Sequence, residues 1–276
     1  MSLHEEVSAL LRTVAAQVVV PRFRALAGHE VTVKSAGEIV TIADREAEFR
    51  LHEGLATLGL GARIVGEEAT ERDPALLDDV GEGLVWLIDP LDGTANFAAG
   101  RAPFGMMIAL VEDGSPVAGW MFDPLSGRLC HAARGLGATC DGAVVRARPT
   151  GAERLRAALG THFLNPGLRE RVHAHADRHL AVVPVPRCAA ESYPRLVFGS
   201  DDVALFQRIL PWDHAAGALF LTEAGGRITH WDGTRYRVGG RGIGVLAAAS
   251  PGLWEQAADV LLSPAAGLIE LDCLVS

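Results

Sequence analysis

The chain has 276 residues, of which 49% are hydrophobic, and it carries a net charge of −9. That length supports a sizeable core, in one large domain or in two closely packed halves. The acidic balance and the lack of a dense Lys/Arg block exclude general nucleic-acid binding. No apolar run reaches membrane-spanning length, and Glu5 and Glu6 stand where a signal peptide would be basic, so we expect no membrane partner.

The cysteines indicate a reducing compartment. None of the four belongs to a CxxC pair, so neither a zinc site nor a disulfide framework is indicated. We therefore expect a cytoplasmic protein with reduced thiols at Cys130, Cys140, Cys188 and Cys273.

In residues 1–150, predicted helices flank predicted hairpins, which is typical of an α+β fold. Apolar residues at helical spacing predict helices over 3–27 and 43–58, and the polar segment 69–82 is expected to be a surface loop or a short helix. Apolar runs between turn residues predict strands at 64–65, 83–88, 104–111, 117–122 and 128–133.

In residues 151–276, predicted strands alternate with predicted helices, which is typical of an α/β arrangement. The strands are expected at 157–161, 182–185, 202–206 and 243–249, and the helices at 167–179, 189–198, 213–224 and 251–262. The change in pattern predicts a domain boundary near residue 150.

Two carboxylates, Asp89 and Asp92, follow the predicted strand 83–88 on a turn that contains Gly93. Carboxylate oxygens are hard ligands, which suit Mg²⁺ better than zinc or copper. Gly93 and Thr94 add backbone N–H groups and a hydroxyl for a phosphate oxygen or a water. The pattern indicates phosphate chemistry, although Asp-Gly taken alone is also a common turn dipeptide.

Four further polar positions each have an ordinary structural explanation when taken alone. Glu67 fits a solvated strand end, Lys34 a surface lysine, and Asp44 a helix N-cap beside Thr41. Asp213 lies at or just before the start of a predicted helix, where a carboxylate is also a good N-cap. Only the joint pattern of these residues indicates a shared site.

Three motifs in order carry a resemblance to a known family. They are Gly66-Glu67-Glu68, the run from Trp86 through Asp89-Pro90-Leu91-Asp92-Gly93-Thr94 to Phe97, and Trp212-Asp213-His214-Ala215-Ala216-Gly217. Together they resemble the inositol monophosphatase family over most of the chain. The resemblance implies a Mg²⁺-dependent, Li⁺-sensitive phosphatase with a layered αβαβα sandwich, of the inositol monophosphatase and sugar phosphatase type. The first half would carry the first two motifs, and residues 151–276 would carry the third and the residues that recognise the substrate.

The same resemblance implies the metal ligands. Glu67, Asp89 and the carbonyl of Leu91 would hold one Mg²⁺, and Asp89, Asp92 and Asp213 would hold a second. A third, weaker ion would lie near Glu67, which gives two to three ions per site.

The resemblance also implies roles in catalysis and phosphate binding. Thr94, in contact with Asp44, would orient or deprotonate the attacking water, with Glu67 as a further catalytic residue. The N–H groups of Gly93 and Thr94 would hold the phosphate, and Lys34 would lie near it.

The substrate side departs from the family pattern at Phe206. The family has a glutamate there, seven residues before Asp213, which recognises inositol. A phenyl ring accepts no hydroxyl hydrogen bonds from a polyol, which argues against inositol phosphate as the substrate. Arg187 or Arg208 would favour a second anionic group, as in a bisphosphate or a nucleotide. Further candidates for substrate contacts, each also explicable by packing or surface position, are Ala189, His162, Tyr193 and His214.

We therefore predict a Mg²⁺-dependent phosphomonoesterase that hydrolyses a small phosphorylated alcohol, such as a sugar, inositol or nucleotide phosphate, by water attack. Specificity for fructose 1,6-bisphosphate, a 3′-phosphonucleotide or histidinol phosphate is an alternative. A regulatory protein that retains the fold is another, and it would need fewer converging carboxylates. A homodimer is expected by analogy with the family.

Overall fold

The computed structural model describes residues 1–34 and 39–268. Its helices are α1 (Leu3–Val14), α2 (Val20–Arg22), α3 (Ile42–Ala56), α4 (Glu67–Arg72), α5 (Thr94–Ala98), α6 (Pro166–His179), α7 (Ala189–Val197), α8 (Pro211–Glu223) and α9 (Pro251–Leu261). Its strands are β1 (Val31–Val33), β2 (Ile39–Thr41), β3 (Arg63–Gly66), β4 (Leu84–Asp92), β5 (Gly105–Glu112), β6 (Ser115–Phe122), β7 (Leu129–Ala133), β8 (Gly137–Cys140), β9 (Ala143–Val145), β10 (Arg156–Gly160), β11 (Ala181–Val183), β12 (Val203–Phe206), β13 (Arg227–His230) and β14 (Val245–Ala248).

Two sheets form the framework. The larger has the order β3-β4-β5-β6-β7-β8-β9, in which only β3 and β4 are parallel. The smaller has the order β11-β10-β12-β14-β13, with β10 parallel to both β11 and β12 and with antiparallel pairs at β14. The larger sheet uses strands from the first half of the chain and the smaller from the second, and the domain boundary near residue 150 stays a prediction.

The elements form five layers, which enclose three apolar cores. The first lies between helices α1 and α3 and one face of the larger sheet, the second between the two sheets around α7 and α8, and the third between the smaller sheet and helices α6 and α9. Because helices cover both faces of each sheet, almost every strand residue of β4 and β5 is buried. This arrangement confirms the predicted αβαβα sandwich.

Alternation along β4 decides which core each side chain enters. Trp86 and Ile88 pack in the outer core with α1 and α3, whereas Val85 and Leu87 pack in the central core. By the same period of two, Asp89 points towards the central layer that contains α7 and α8. The strand therefore delivers its carboxylate to the space between the two sheets.

Several predicted elements differ from the structure at their ends. The helix predicted over 3–27 ends at Arg22, after a π-helical stretch at Ala15–Val19, because Phe23 is extended. The segment 69–82 contains the end of α4 and a 3₁₀ turn at Pro74–Leu77. The strand predicted over 83–88 continues to Asp92.

Five short strands were absent from the sequence-based prediction: β1, β2, β8, β9 and β13. Each has three or four residues, and none has a long apolar run, so their pairing depends on neighbouring strands. No helix in the described ranges is long and apolar enough to cross a membrane. Cys130, Cys140 and Cys188 are free thiols, and Cys273 lies outside the described residues.

A histidine pair joins α1 to the larger sheet. The ring centroids of His4 and His131 lie 3.9 Å apart, and the indole N–H of Trp120 donates to Nδ1 of His4 at 3.1 Å. Burial lowers the pKa of His131 to about 4, and the neighbouring His4 acts in the same direction. The folded protein therefore holds His131 in its neutral form at neutral pH.

This pair should make the protein less stable in mild acid. The folded-state pKa of His131 lies below its ordinary value of 6.5, so between 6.5 and about 4 the unfolded chain binds a proton that the folded chain does not. We expect the free energy of unfolding to fall across that range, and to fall less in His131→Gln. Urea denaturation at about pH 7 and pH 5 checks this, with His52→Gln as an exposed control. Equal pH dependence in wild type and His131→Gln would contradict the prediction.

Candidate active site

All five predicted metal ligands, four carboxylates and Leu91, line one cleft, which has a volume of about 420 Å³. Glu67 begins α4 directly after β3, and Asp89 and Asp92 lie at the end of β4. Because β3 and β4 are parallel, with Gly66 opposite Ile88, their carboxyl ends meet at the same edge. Asp213 enters from the first turn of α8. The structure thus brings all four carboxylates to one place.

Asp89 is the most deeply placed of these carboxylates. Its side chain is buried, and Oδ1 accepts a hydrogen bond from the N–H of Leu91 at 3.0 Å. Burial raises the pKa of Asp89 well above its usual range, and the charges of Glu67, Asp92 and Asp213 raise it further. The protein therefore holds like charges together at a site that favours added positive charge.

An irregularity in β4 shapes the turn after Asp89. The register with β5 shifts between Asp89 and Asp92, and the side chain of Leu91 packs in the outer core rather than the central one. The hydroxyl oxygen of Thr94 lies 2.8 Å from the carbonyl oxygen of Leu91. The bulge thus separates the roles of Leu91, whose side chain anchors the turn while its carbonyl stays beside Thr94.

Gly93 closes this turn with a φ of 83°, a conformation that favours glycine. A Cβ there would also meet the Pro103 carbonyl oxygen at 3.1 Å. The Asn96 amide donates to the carbonyls of Pro103 at 2.8 Å and Pro186 at 3.0 Å. These bonds tie the turn to the segment that precedes α7.

Asp92 links the turn to α7. Its Oδ2 accepts a hydrogen bond from the N–H of Ala190 at 2.6 Å, in the first turn of that helix. Burial raises the pKa of Asp92, and the N–H bond from Ala190 opposes the rise. Ala189, a predicted substrate contact, begins the same helix and lines the cleft.

Thr94 and Asp44 form the predicted pair. Thr94 Oγ1 lies 2.9 Å from Asp44 Oδ1, while Oδ2 accepts from the N–H of Thr41 at 2.8 Å and from its hydroxyl at 2.5 Å. Burial raises the pKa of Asp44 to about 7, and the bonds from Thr41 oppose the rise. The carboxyl can therefore exchange a proton near neutral pH.

Neither Asp44 nor Asp213 is the N-cap residue of its helix, so that alternative is wrong for both. Thr41 is the N-cap of α3, and Asp44 is the third helical residue, whose side chain closes a capping box. The N-cap of α8 is Leu210, and Asp213 is again the third residue of its helix. Helix α8 begins at Pro211, two residues before the predicted start, because proline is favoured at the first position of a helix.

Lys34 pairs with the carboxylates on α4. Its ammonium lies 2.9 Å from Glu67 Oε1 and 2.6 Å from Glu68 Oε1, and only 5% of its side chain is exposed. The two carboxylates raise the Lys34 pKa against the opposing effect of burial. Behind them, Glu48 accepts from the N–H groups of Glu68 and Ala69, each at 2.7 Å. Lys34 is thus a buried ion-pair residue rather than the surface lysine of the alternative explanation.

The other end of the cleft has an aromatic wall, and Phe206 lines it. The Phe206 ring stacks on buried Tyr193, with 5.5 Å between centroids and 18° between planes. His214 Nε2 lies 3.0 Å from the Arg208 carbonyl, which only accepts, so Nε2 carries the proton. His214 Nδ1 therefore accepts from the Tyr193 hydroxyl at 2.8 Å. Burial lowers the His214 pKa to about 4, which agrees with this neutral form.

The remaining predicted substrate contacts also line the cleft. Arg187 and His162 are exposed at its mouth, and the Arg208 guanidinium lies 4.3 Å from the ring centroid of Phe163. Sequence reasoning assigned no role to several lining residues: Ile39, Ala95, Gly160, Phe163, Val185, Cys188, Ser192 and Gln207. Ala95 lies within the second motif and Gln207 directly follows Phe206, and these positions were the available signals.

The donor set fits a hard divalent cation, because every converging side chain is a carboxylate. Within residues 1–34 and 39–268, no three His, Cys, Asp or Glu side chains are spaced, as they stand, to enclose a metal ion. Asp89, Asp92 and Glu67 are held instead by N–H and ammonium donors. An ionised carboxylate has about four lone-pair positions, so these single hydrogen bonds do not by themselves prevent it from binding a cation.

Comparison with known proteins identifies the family. Residues 3–266 match the family model described as "Inositol monophosphatase family". The chain belongs to the inositol monophosphatase family. It is 34% identical over 275 residues to the Inositol-1-monophosphatase of Mycobacterium leprae (strain TN), covering 95% of this chain and 90% of that protein. It is also 34% identical over 216 residues to the Histidinol-phosphatase of Mycobacterium tuberculosis (strain ATCC 25618 / H37Rv). That match covers 74% of this chain and 78% of that protein.

A solved structure supports the same architecture. The Thermotoga maritima IMPase TM1415 matches with a TM-score of 0.81 and 23% identity, over 98% of this chain and 100% of that one. Family membership confirms the predicted enzyme class, which is phosphoric monoester hydrolase. Members of the inositol monophosphatase family are in general metal-dependent.

Proposed function

We propose that this protein is a Mg²⁺-dependent phosphomonoesterase that releases inorganic phosphate from a small phosphorylated alcohol. The observation that carries the proposal is the convergence of Glu67, Asp89, Asp92 and Asp213 on one cleft. The burial and raised pKa of Asp89 add to it, because a purely structural site has no need for repelling carboxylates.

Glu67, Asp89, the Leu91 carbonyl, Asp92 and Asp213 would hold two to three Mg²⁺ ions. Bound Mg²⁺ supplies Lewis-acid activation of water and charge neutralisation at the leaving oxygen. The buried position of Asp89 between the other three carboxylates suits it to a shared ligand.

Thr94 and Asp44 would handle the proton of the attacking water. The Thr94 hydroxyl lies within hydrogen-bond distance of Asp44, so a proton passed to Thr94 can continue to Asp44. A pKa of about 7 suits Asp44 as an acceptor near neutral pH. The N–H groups of Gly93 and Thr94 would hold the phosphate, and Lys34 would fix Glu67 beside it.

The leaving alcohol is the open part of this proposal. The names of the two relatives indicate different substrates, an inositol phosphate for one and histidinol phosphate for the other. Phe206 offers no acceptor for polyol hydroxyls, which argues against inositol phosphate as the substrate. Sugar, nucleotide and histidinol phosphates are the remaining candidates. A cytoplasmic homodimer remains part of the proposal by analogy, and size-exclusion chromatography with light scattering tests the dimer.

Phosphate release from a panel of these monoesters tests the function. We expect hydrolysis of at least one substrate with Mg²⁺, loss of activity in EDTA, recovery on adding Mg²⁺ back, and inhibition by Li⁺. A folded protein that releases no phosphate from any substrate, with or without Mg²⁺, would refute the proposal.

Thr94 provides a sharper test of the proton path. Thr94→Val removes the hydroxyl and is expected to lower kcat by about 10²- to 10⁴-fold, whereas Thr94→Ser should retain most activity. In wild type, kcat should fall as the pH drops below about 7, because Asp44 takes up a proton and no longer accepts one. Steady-state kinetics across pH measures both effects. Similar kcat values for the Val and Ser variants would exclude the hydroxyl from the proton path.

A further inference from the structure

We propose that Phe206 selects a leaving alcohol that carries a planar aromatic ring, which packs against the phenyl face. This inference rests on the proposed phosphatase function and names the substrate class for it. Phe206 becomes a specificity-determining residue, in contact with the part of the substrate that does not react.

The ring has space beside it. Phe206 lies at the end of β12 and pairs in register with Gly160 of β10, and both residues line the cleft. A Cβ at Gly160 would lie 2.8 Å from the carbonyl oxygen of Leu205 and 3.7 Å from the Cα of Phe206, so the close approach of β10 to β12 requires glycine here. The cleft beside Phe206 is therefore lined by the backbone of Gly160 rather than by a side chain.

The ring is also held in a fixed orientation. Fully buried Tyr193 stacks beneath it, and His214 meets it edge-on with 4.9 Å between centroids and 71° between planes. The Tyr193 hydroxyl is bonded to His214, which is bonded to the Arg208 carbonyl. A ligand ring therefore meets a preorganised surface, and little side-chain entropy is lost on binding.

The charged groups around the wall disfavour a cationic alcohol. Both nitrogens of His214 are already engaged, so this ring offers nothing to a polyol. Among the described lining residues, the carboxylates are the four at the metal end, and the formally charged side chains at the alcohol end are those of Arg187 and Arg208. Guanidinium groups repel an alcohol that carries an ammonium group. A neutral or anionic aromatic group, such as a nucleobase or an aryl ring, fits the charge and the shape.

Two matched synthetic substrates test this inference. Benzyl phosphate and cyclohexylmethyl phosphate have primary alkyl leaving groups of similar size and basicity and differ in the aromaticity of the ring. With Mg²⁺, the wild-type protein is expected to prefer benzyl phosphate in kcat/KM by about 3- to 10-fold, the range for one aromatic pair. Phe206→Leu should remove that preference, and Phe206→Tyr, which retains the ring, should keep it.

Phe49→Leu on α3 is the matched control, because it removes an exposed phenyl ring that does not line the cleft and should leave the preference unchanged. Circular dichroism establishes that each variant is folded before its ratio is used. Equal kcat/KM values in wild type, or a preference that survives in Phe206→Leu, would overturn this inference while the phosphatase function stands. Absence of phosphate release from every monoester would instead refute the proposed function beneath it.

Discussion

Asp89→Asn is expected to lower kcat/KM by at least about 10³-fold, the scale for losing a central electrostatic contact in an active site. Asn keeps the size of the side chain and an oxygen that can accept from the Leu91 N–H. It loses the negative charge that lies between Glu67, Asp92 and Asp213. The effect on activity should therefore come from charge rather than from packing.

The same variant should be more stable than wild type when no metal is bound. The folded-state pKa of Asp89 is raised, so the folded chain loses stability as the pH rises above the ordinary value of 3.8. Asparagine does not titrate, and its advantage over wild type should grow with pH. Activity and stability should thus change in opposite directions.

Phosphate release and thermal unfolding in EDTA, at about pH 5 and pH 8, measure the two effects. Asp177→Asn, at an exposed position on α6, is the matched control and should change neither quantity. An active Asp89→Asn protein would contradict the shared metal site. A variant that is less stable than wild type in EDTA at both pH values would contradict the repulsion argument.

Gly217→Ala is expected to destabilise the fold by about 2 kcal/mol, in the range for overpacking a core. An added Cβ would lie 2.0 Å from the ring of Tyr193, which is fully buried. The ring cannot move away without disturbing its bond to His214 and its stacking on Phe206. Alanine would otherwise favour a helix over glycine, so a loss of stability isolates the steric effect.

Gly252→Ala in α9 is the matched control, because a Cβ there would have no neighbour within 4 Å. It should be neutral or stabilising. Urea unfolding of both variants and the wild type measures the difference. If Gly217→Ala were as stable as Gly252→Ala, the close approach of Tyr193 to α8 would be refuted.

The local part of the site could be predicted from the sequence. The turn from Asp89 to Thr94 follows from an apolar strand, a proline, a glycine and two carboxylates at fixed spacing. Glu67 and Asp44 have ordinary structural explanations when taken alone, and the resemblance to the inositol monophosphatase family assigned them to the site. The structure places these residues close together because neighbouring residues and parallel strands constrain one another over short distances.

Other features depend on contacts between distant segments. The side chain of Leu91 turns to the outer core because of a bulge against β5, and Lys34 pairs with two carboxylates more than thirty positions away. The short strand β8 forms because β7 provides an edge for pairing, and β9 pairs in turn with β8. No local pattern encodes these contacts.

The sequence by itself determined the mixed helix-and-strand character, the acidic motif and its preference for a hard cation, because residue type and spacing carry that chemistry. The family resemblance implied the layered fold. The family resemblance placed Asp213 with Asp89, whereas only the tertiary structure decided that a four-residue strand places Phe206 on buried Tyr193. The physical reason is that α7 and α8 lie between two sheets from opposite halves of the chain. Their positions follow from burial of the shared core, which sums weak contacts over many residues rather than any single motif.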